Sequence, residues 1–249
     1  MAKFLTLFGT QADYDAAESS LDLPNVSLTL DNYVVHYHPY EDPYNGHEYV
    51  EIGGIKWATM NVGANSITDY GLYFQWGDTS GYTRDQIGDG EGKKYFGWAD
   101  YKYGNGTSNP GATGITKYNS SDGKTVLEAS DDGGRLAWGG GWRMPTPAEF
   151  KALGTATTSA WTSNYEGSGI AGLVVTSKAD SSKKLFFPAA GYCDSGSVTL
   201  VRNYGEYWSS SLNYIGVQSA NNLYFTSATV NWKDNSFRSI GSSLRLVCD

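Results

Sequence analysis

The chain has 249 residues, of which 31 are glycine and 14% are aromatic, so its core is expected to consist of Trp, Tyr and Phe rather than aliphatic helix stripes. Its formal net charge of -8 would repel phosphate backbones and anionic membrane surfaces, which disfavours both nucleic acid and membrane partners. The two cysteines, Cys193 and Cys248, exclude a disulfide framework. A reduced, buried pair is favoured over a single bridge.

The first 48 residues read as a separate small unit. A short strand at 4–8, a short helix ending near residue 20, and a hairpin formed by 26–30 and 33–37 follow one another. Such a unit has little core of its own, which suggests oligomerisation or attachment. No export signal is visible at the start of the chain, and no apolar run approaches the length needed to cross a bilayer.

Residues 49–249 form the main domain. Short strands are predicted at 50–52, 55–57 and 72–76. The stretch 78–132 has long-loop composition and is expected to be anchored by aromatic side chains. The expected anchors are Tyr95, Phe96, Trp98 and Tyr101.

A helix start is predicted at Thr146-Pro147-Ala148-Glu149, where the Thr and Glu side chains can cap the free amides reciprocally. The helix should run to about Leu153 and end at Gly154. A hairpin is predicted from 173–176 and 184–187, and further strands at 207–212, 222–230 and 243–248.

A series of motifs in the main domain carries a family resemblance. They are IGGIKWA at 52–58, NVGA at 61–64, YFQWGD at 73–78, GWRMPT at 141–146 followed by Glu149, YWSSS at 207–211 and SLRLV at 243–247. The series resembles the Fibrobacter major paralogous domain of Bacteroidetes and their phages. That domain is similar to the C-type-lectin-like fold of formylglycine-generating enzymes and to the variable proteins of diversity-generating retroelements. The resemblance implies an α+β, loop-rich fold with short strands and few short helices.

The resemblance also implies a diversified C-terminal region, at about 207–249. In retroelement variable proteins, adenine-directed copying converts Asn codons into a restricted set of residues. The members of that set in the tail, expected to face water and bind ligand, are Asn213, Tyr214, Ile215, Asn222, Tyr224, Thr226, Ala228, Thr229, Asp234, Asn235, Ser236, Phe237, Ser239, Ile240 and Ser242. Around 223–228 members of this set and the remaining residues alternate with period two, so one face is expected to pack inward while Tyr224, Thr226 and Ala228 point outward.

Metal and catalytic sites are disfavoured by the residue types present. His36, His38 and His47 lack an accompanying cysteine or second acidic cluster, so no zinc site is predicted. Asp78, Asp131 and Asp132 lie in loops where calcium could bind, yet no spaced acidic loop is present. No histidine follows His47, so a Ser or Cys nucleophile in the main domain would lack its usual base. Glu149 is better explained by the capping box, and Arg143 and Arg245 as anchors of carbonyls or carboxylates.

The expected function is therefore binding without a cofactor. The sequence favours a phage-associated, receptor-binding variable protein made without a signal peptide and located in the virion or phage tail. Its ligand would be a protein or glycan of a bacterial surface, bound by a homo-oligomer such as a trimer. The alternatives are a host Bacteroidetes protein of the same domain family with a fixed ligand or structural role, and an enzyme related to the formylglycine generators.

Overall fold

The structure, a computed structural model, describes residues 3–8, 27–30, 33–39, 42–213 and 216–249. The chain divides into two compact units, Met1–Asn45 and Gly46–Asp249. Most of the regular structure is short strands in several small sheets, and the helices are few. The predicted mixed α+β class with short strands and few short helices is confirmed at this level. Among the described residues, no helix has the length and apolar character required to span a membrane.

The first unit contains one antiparallel sheet with the strand order β1-β3-β2. Its strands are β1 (Lys3–Phe8), β2 (Ser27–Leu30) and β3 (Tyr33–Pro39). The predicted hairpin is confirmed, since Leu30 pairs with Tyr33 across its turn. The helix predicted to end near residue 20 lies outside the described residues.

The second unit contains fourteen strands and two α-helices in its described part. In chain order they are β4 (Tyr49–Ile52), β5 (Ile55–Ala58), β6 (Tyr73–Phe74), α1 (Gly133–Trp138), β7 (Trp142–Arg143), α2 (Pro147–Ala156), β8 (Thr157–Thr162), β9 (Gly172–Ser177), β10 (Lys184–Pro188), β11 (Tyr192–Asp194), β12 (Ser197–Thr199), β13 (Tyr204–Leu212), β14 (Ser219–Thr226), β15 (Val230–Phe237), β16 (Ser242–Ser243) and β17 (Val247–Cys248).

Four sheets are built from these strands. The largest has the order β15-β14-β13-β16-β6, and a second has the order β4-β5-β17-β7. The predicted hairpin of β9 and β10 is confirmed and extends to β8, while β11 and β12 form a separate pair. The predicted strands at 50–52 and 55–57 are confirmed as β4 and β5, which pair antiparallel.

The prediction of one strand over 222–230 is wrong. Strand β14 ends at Thr226, and the chain reverses before β15 begins at Val230. The Thr226 amide donates to the Thr229 carbonyl at 2.9 Å, and the Thr226 hydroxyl accepts from the Ala228 amide at 3.2 Å. A threonine side chain thus supports a turn that contains no Gly, Pro, Asn or Asp.

Two further strand predictions were too long. The strand predicted at 72–76 is only β6, and that at 243–248 is divided into β16 and β17. The division has a topological cause, since β16 pairs in the largest sheet and β17 in the β4-β5-β17-β7 sheet. Arg245 lies at the crossing with its side chain fully buried. Its guanidinium donates to the carbonyls of Ala58, Thr59 and Phe186, as the anchoring role predicted for it requires.

Helix α2 begins with the predicted capping box. The Thr146 hydroxyl accepts from the Glu149 amide at 3.2 Å, and Glu149 Oε2 accepts from the Thr146 amide at 2.7 Å. The predicted end at Gly154 is wrong, because the helix continues through Ala156. Gly154 is instead a point of close approach, where an added Cβ would lie 2.5 Å from the Trp232 ring of β15.

The main core is enclosed between α2, the β8–β10 sheet and the inner face of β13 and β14. Its fully buried members include Trp57, Phe150, Tyr207, Leu223 and Phe225. The Trp57 and Phe150 rings lie 5.6 Å apart, and the Phe187 and Tyr207 rings meet edge to face at 5.3 Å. Aromatic packing of this kind is what the composition predicted.

The long loop region before α1 is held by buried aromatics and by one arginine. Of the four predicted anchors, Phe96 and Tyr101 are buried, whereas Tyr95 is exposed and Trp98 half-buried. Arg238 is fully buried and donates to the Tyr101 hydroxyl and to the carbonyls of Lys117 and Tyr118. The C-terminal region therefore fixes the loops from within.

Candidate functional site

The β13–β14 hairpin presents two chemically different faces. Leu223 and Phe225 are fully buried in the main core, while Tyr224 between them is only half-buried on the opposite face. Tyr224 is paired across the strands with Glu206, and its ring stacks on Tyr204 at 5.4 Å between centroids. The predicted alternation is confirmed from Leu223 to Thr226, and it ends at the turn that follows, where Ala228 is exposed together with both of its neighbours. The outward face carries tyrosine and a carboxyl group.

A cleft of about 480 Å³ opens on this side of the molecule. We call it the tyrosine cleft. Its walls combine aromatic, aliphatic, small polar and acidic side chains, and among the described residues no lysine or arginine lines it. The lining residues are Tyr192, Asp194, Leu200, Tyr204, Glu206, Ser219, Asn235, Ser236, Phe237 and Ile240.

Glu206 is the most buried charged group of the tyrosine cleft, with 1% of its surface exposed. The Tyr204 hydroxyl donates to its Oε2 at 3.0 Å, and the Ser242 hydroxyl donates to its Oε1 at 3.0 Å. Burial raises the pKa of Glu206, because these and the neighbouring hydrogen bonds only partly replace the hydration that the carboxylate loses.

A second cleft of about 300 Å³ adjoins the first. Asp194, Phe237 and Ile240 line both clefts, so the two form one continuous surface divided by Phe237. The Phe237 side chain is 56% exposed and meets the Trp98 ring edge to face at 6.0 Å. An exposed aromatic held by a neighbouring ring is a typical anchor for a bound partner.

A third cleft of about 500 Å³ is formed by different residues. Loop residues 119–126 line one side, and residues around the ends of β13 and β14, including Asn213 and Val217, line the other. Of the predicted ligand-binding residues that the structure describes, only Asn213 lines this third cleft.

Most of the predicted ligand-binding residues are accessible. Ala228, Thr229 and Phe237 are exposed, and a further group is half-buried. That group consists of Tyr224, Thr226, Asp234, Asn235 and Ser236. Asn235, Ser236 and Phe237 come together in the tyrosine cleft, whereas Thr226, Ala228 and Thr229 lie at the turn between β14 and β15. Tyr214 and Ile215 lie outside the described residues.

Five predicted positions do not face water, and that expectation is corrected. Asn213, Asn222, Ser239, Ile240 and Ser242 are all buried. The polar ones among them form internal hydrogen bonds instead of facing solvent. Asn213 Nδ2 donates to Asn221 Oδ1 at 3.1 Å and Asn222 Nδ2 to Ser236 Oγ at 2.9 Å, while the Ser239 carbonyl accepts from Gln75. Ile240 is also buried, but part of its side chain still lines both adjoining clefts.

Sequence reasoning missed the residues on the other side of the tyrosine cleft. Tyr192 and Asp194 of β11, Leu200, and Tyr204 and Glu206 of β13 were not predicted as site residues, because they lie outside the diversified set. One signal was available: Glu206 is a charged residue within a strand that is otherwise buried. Buried charged residues without an ion-pair partner are uncommon and point to a site.

Several of the groups considered for catalysis or metal binding are packed against other side chains of the second unit. Cys193 and Cys248 are buried and are not joined by a disulfide, and burial raises the pKa of Cys193, which disfavours its thiolate. The His47 ring stacks on Trp138 at 3.7 Å. In the described residues, no three His, Cys, Asp or Glu side chains are grouped to hold a metal ion.

The acidic loop residues have partners of their own. Asp131 accepts from Lys102 Nζ at 3.1 Å and from the Tyr118 hydroxyl at 2.6 Å, while Asp132 caps α1 through the Arg135 amide. Arg143 forms ion pairs with the carboxylates of Glu149 and Asp249, as predicted for it.

No family model, curated protein or solved structure matches this chain.

Proposed function

We propose that this protein is a ligand-binding, receptor-recognising protein with a C-type-lectin-like fold, of the kind diversified by retroelements, and that it is not an enzyme. One observation carries the proposal. Asn235, Ser236 and Phe237, all within the set reachable by adenine-directed change, line the tyrosine cleft together with Glu206, whose cross-strand partner Tyr224 lies on the face opposite buried Leu223 and Phe225.

The composition of the surface supports recognition on physical grounds. Rigid tyrosine and phenylalanine rings supply contact area at low entropic cost, and small polar side chains adapt their hydrogen bonds to different partners. Tyr224 and Phe237 belong to the first class, and Asn235 and Ser236 to the second. Because these side chains are held on paired strands, their replacement leaves the backbone in place.

The proposed setting is a phage tail or virion, where residues 1–48 mount the protein or associate with other copies. Each copy would contribute one recognition surface directed at a protein or glycan of a bacterial surface. Oligomerisation, for instance as a trimer, would then convert weak single-site binding into strong attachment.

The nucleotide neighbourhood of the gene gives a first test. A near-copy of the segment encoding the tail, differing at adenines, together with a reverse transcriptase gene, is expected nearby. The absence of both would overturn the retroelement assignment and leave a protein with a fixed ligand.

Binding to a panel of intact bacterial cells gives the second test. Phe237→Ala is expected to reduce binding at least about tenfold, the loss typical of an aromatic anchor. Leu136→Ala is the matched control, because Leu136 of α1 is 57% exposed and Phe237 56%. Equal binding by the two variants on every cell type that the unmodified protein binds would contradict a recognition role for the cleft.

A further inference from the structure

The tyrosine cleft is lined by acidic side chains that have no basic neighbour in the described lining. Asp194 and Glu206 line it, and Asp234 lies on β15, where its charge acts on Tyr204. The lining contains no lysine or arginine in the described part of the chain, and the whole chain carries a formal charge of -8. The field in the cleft therefore attracts cations.

Glu206 differs from other shielded carboxylates of the same protein. Asp131 forms ion pairs with Lys102 and Lys117, and Glu149 forms one with Arg143. Glu206 is held by the neutral hydroxyls of Tyr204 and Ser242, and no ion pair to it is found among the described residues. Burial raises the pKa of Glu206 because its ionised form has no counter-charge among these residues, and a cation bound in the cleft would supply that charge and stabilise the carboxylate.

The walls beside Glu206 are suited to a cation with an apolar stem. The Tyr192 and Tyr204 rings meet at 5.7 Å with an angle of 70° between their planes, so the corner they form presents aromatic surface in two directions. Leu200, Phe237 and Ile240 add apolar surface to the same cleft. Aromatic faces stabilise cations, and more strongly where water is displaced.

The hydrogen bonds that Glu206 already accepts favour one type of cation over another. Each carboxylate oxygen already accepts one hydroxyl hydrogen bond, from Tyr204 on Oε2 and from Ser242 on Oε1. A guanidinium binds best when both oxygens of one edge are available to its fork, whereas an ammonium acts as a compact point charge. A metal ion is a poorer candidate, because no three His, Cys, Asp or Glu side chains of the described residues are grouped to hold one.

We infer that the tyrosine cleft binds an alkylammonium group, with the charged nitrogen beside Glu206 and Tyr204 and the aliphatic stem along Leu200, Phe237 and Ile240. The inference rests on the proposed function, because it names the chemistry recognised at that surface. The same group can be presented by a lysine side chain of a protein or by a free aliphatic amine.

NMR titration of the full chain tests this inference. The probes are n-butylammonium, N-acetyl-lysine methylamide, and the neutral N-acetyl-norleucine methylamide. Both ammonium probes are expected to shift the amide signals of Tyr224 and Ser236 and to saturate, with the neutral probe at least about tenfold weaker. Stronger binding of the lysine probe identifies a protein ligand, and equal binding of the two ammonium probes identifies a free amine.

Variants separate recognition from a structural role of Glu206. Glu206→Gln keeps the size, and its amide can donate to the Tyr204 or Ser242 hydroxyl, so it is expected to weaken ammonium binding about tenfold with little change in the melting temperature. Glu51→Gln changes a carboxyl group at an exposed position of β4, away from the cleft lining, and is expected to leave binding unchanged. Tyr192→Leu, which keeps apolar volume but removes the ring, is expected to weaken binding several-fold.

Two results would overturn the inference: binding of the neutral probe as tight as that of the ammonium probes, or binding unchanged in both Glu206→Gln and Tyr192→Leu. Either result combined with a loss of cell binding in Phe237→Ala would show that the surface is right and the ligand class wrong. Ammonium binding combined with unaltered cell binding in Phe237→Ala would retain the amine site and reject the proposed function.

Discussion

The two faces of the β13–β14 hairpin come from alternating residues of the same strands, yet they obey different constraints. On the inner face, Leu223 and Phe225 are fully enclosed by other side chains. On the outer face, Tyr224 touches Tyr204 and otherwise borders the open side of the sheet. The comparison teaches that one hairpin supplies both a fixed core and a surface whose residues can change without repacking that core.

Part of the outer face, beside Tyr224, consists of buried polar groups. Asn222, Ser242 and Glu206 are each at most 1% exposed, and they are linked through Ser236 and Tyr204 to the cleft. Because a buried polar group is costly when it loses its partner, these positions are more constrained than the surface above them.

Truncation of the inner face is expected to have the largest effect. Phe225→Ala should lower the free energy of unfolding by about 3–5 kcal/mol, because it leaves a cavity in the main core. Tyr224→Ala, one residue away on the outer face, should cost about 1 kcal/mol, the value of a partly exposed ring contact. Urea denaturation measures both, and equal losses would contradict the division into two faces.

The long loop region before α1 is held by hydrogen bonds and ion pairs as well as by aromatic packing. Burial alone would raise the pKa of Asp131, but hydrogen bonds from Lys117, Tyr118 and Lys102 outweigh it and hold the pKa well below its ordinary value. Asp131→Asn should therefore lower the free energy of unfolding by about 2 kcal/mol at pH 7.

The same substitution has a predicted pH dependence. A carboxyl whose pKa is lowered on folding contributes stability above its unfolded pKa of about 3.9 and loses it as the pH falls below that value. The difference between the unmodified protein and Asp131→Asn should therefore narrow below about pH 4. Glu128→Gln, at a more exposed ion pair, should change stability little. A difference that stays constant down to pH 2 would contradict the assignment.

A smaller effect is expected where β15 packs on α2. Alanine is ordinarily favoured over glycine in a helix by about 1 kcal/mol. At Gly154, however, the new Cβ would lie 2.5 Å from the Trp232 ring, so Gly154→Ala should destabilise by about 1 kcal/mol net. Thr155→Ala, at the next and exposed position, should be neutral or slightly stabilising. Stabilisation by Gly154→Ala in thermal unfolding would show that Trp232 does not constrain this position.

The smallest effect on stability is expected at the rim of the clefts. Phe237→Ala should change the free energy of unfolding by less than about 0.5 kcal/mol, because the ring is mostly exposed and contacts chiefly Trp98. Calorimetry of the two proteins checks this value, and a loss above about 2 kcal/mol would place Phe237 in the core.

The features that the sequence predicted correctly depend on residues that are neighbours along the chain. The Thr146 cap and the β9–β10 hairpin follow from neighbouring residues, and so did the alternation at Leu223, Tyr224 and Phe225. What it missed depends on distant partners. Gly154 is set by Trp232, and the burial of Asn222 and Ser242 is set by Ser236 and Glu206. Polar character alone could not separate replaceable surface residues from the buried polar layer, because both use Asn and Ser.

Paired libraries of variants test directly whether the surface residues can be replaced while the core residues cannot. One library varies outer-face Tyr224 and the cleft residues Asn235, Ser236 and Phe237, and the other varies Tyr207, Leu223 and Phe225 on the inner face. Protease resistance of the displayed proteins reports the folded fraction of each. Most variants of the first library are expected to remain folded, and most variants of the second are not. Comparable losses in the two libraries would contradict a replaceable surface carried on a fixed core.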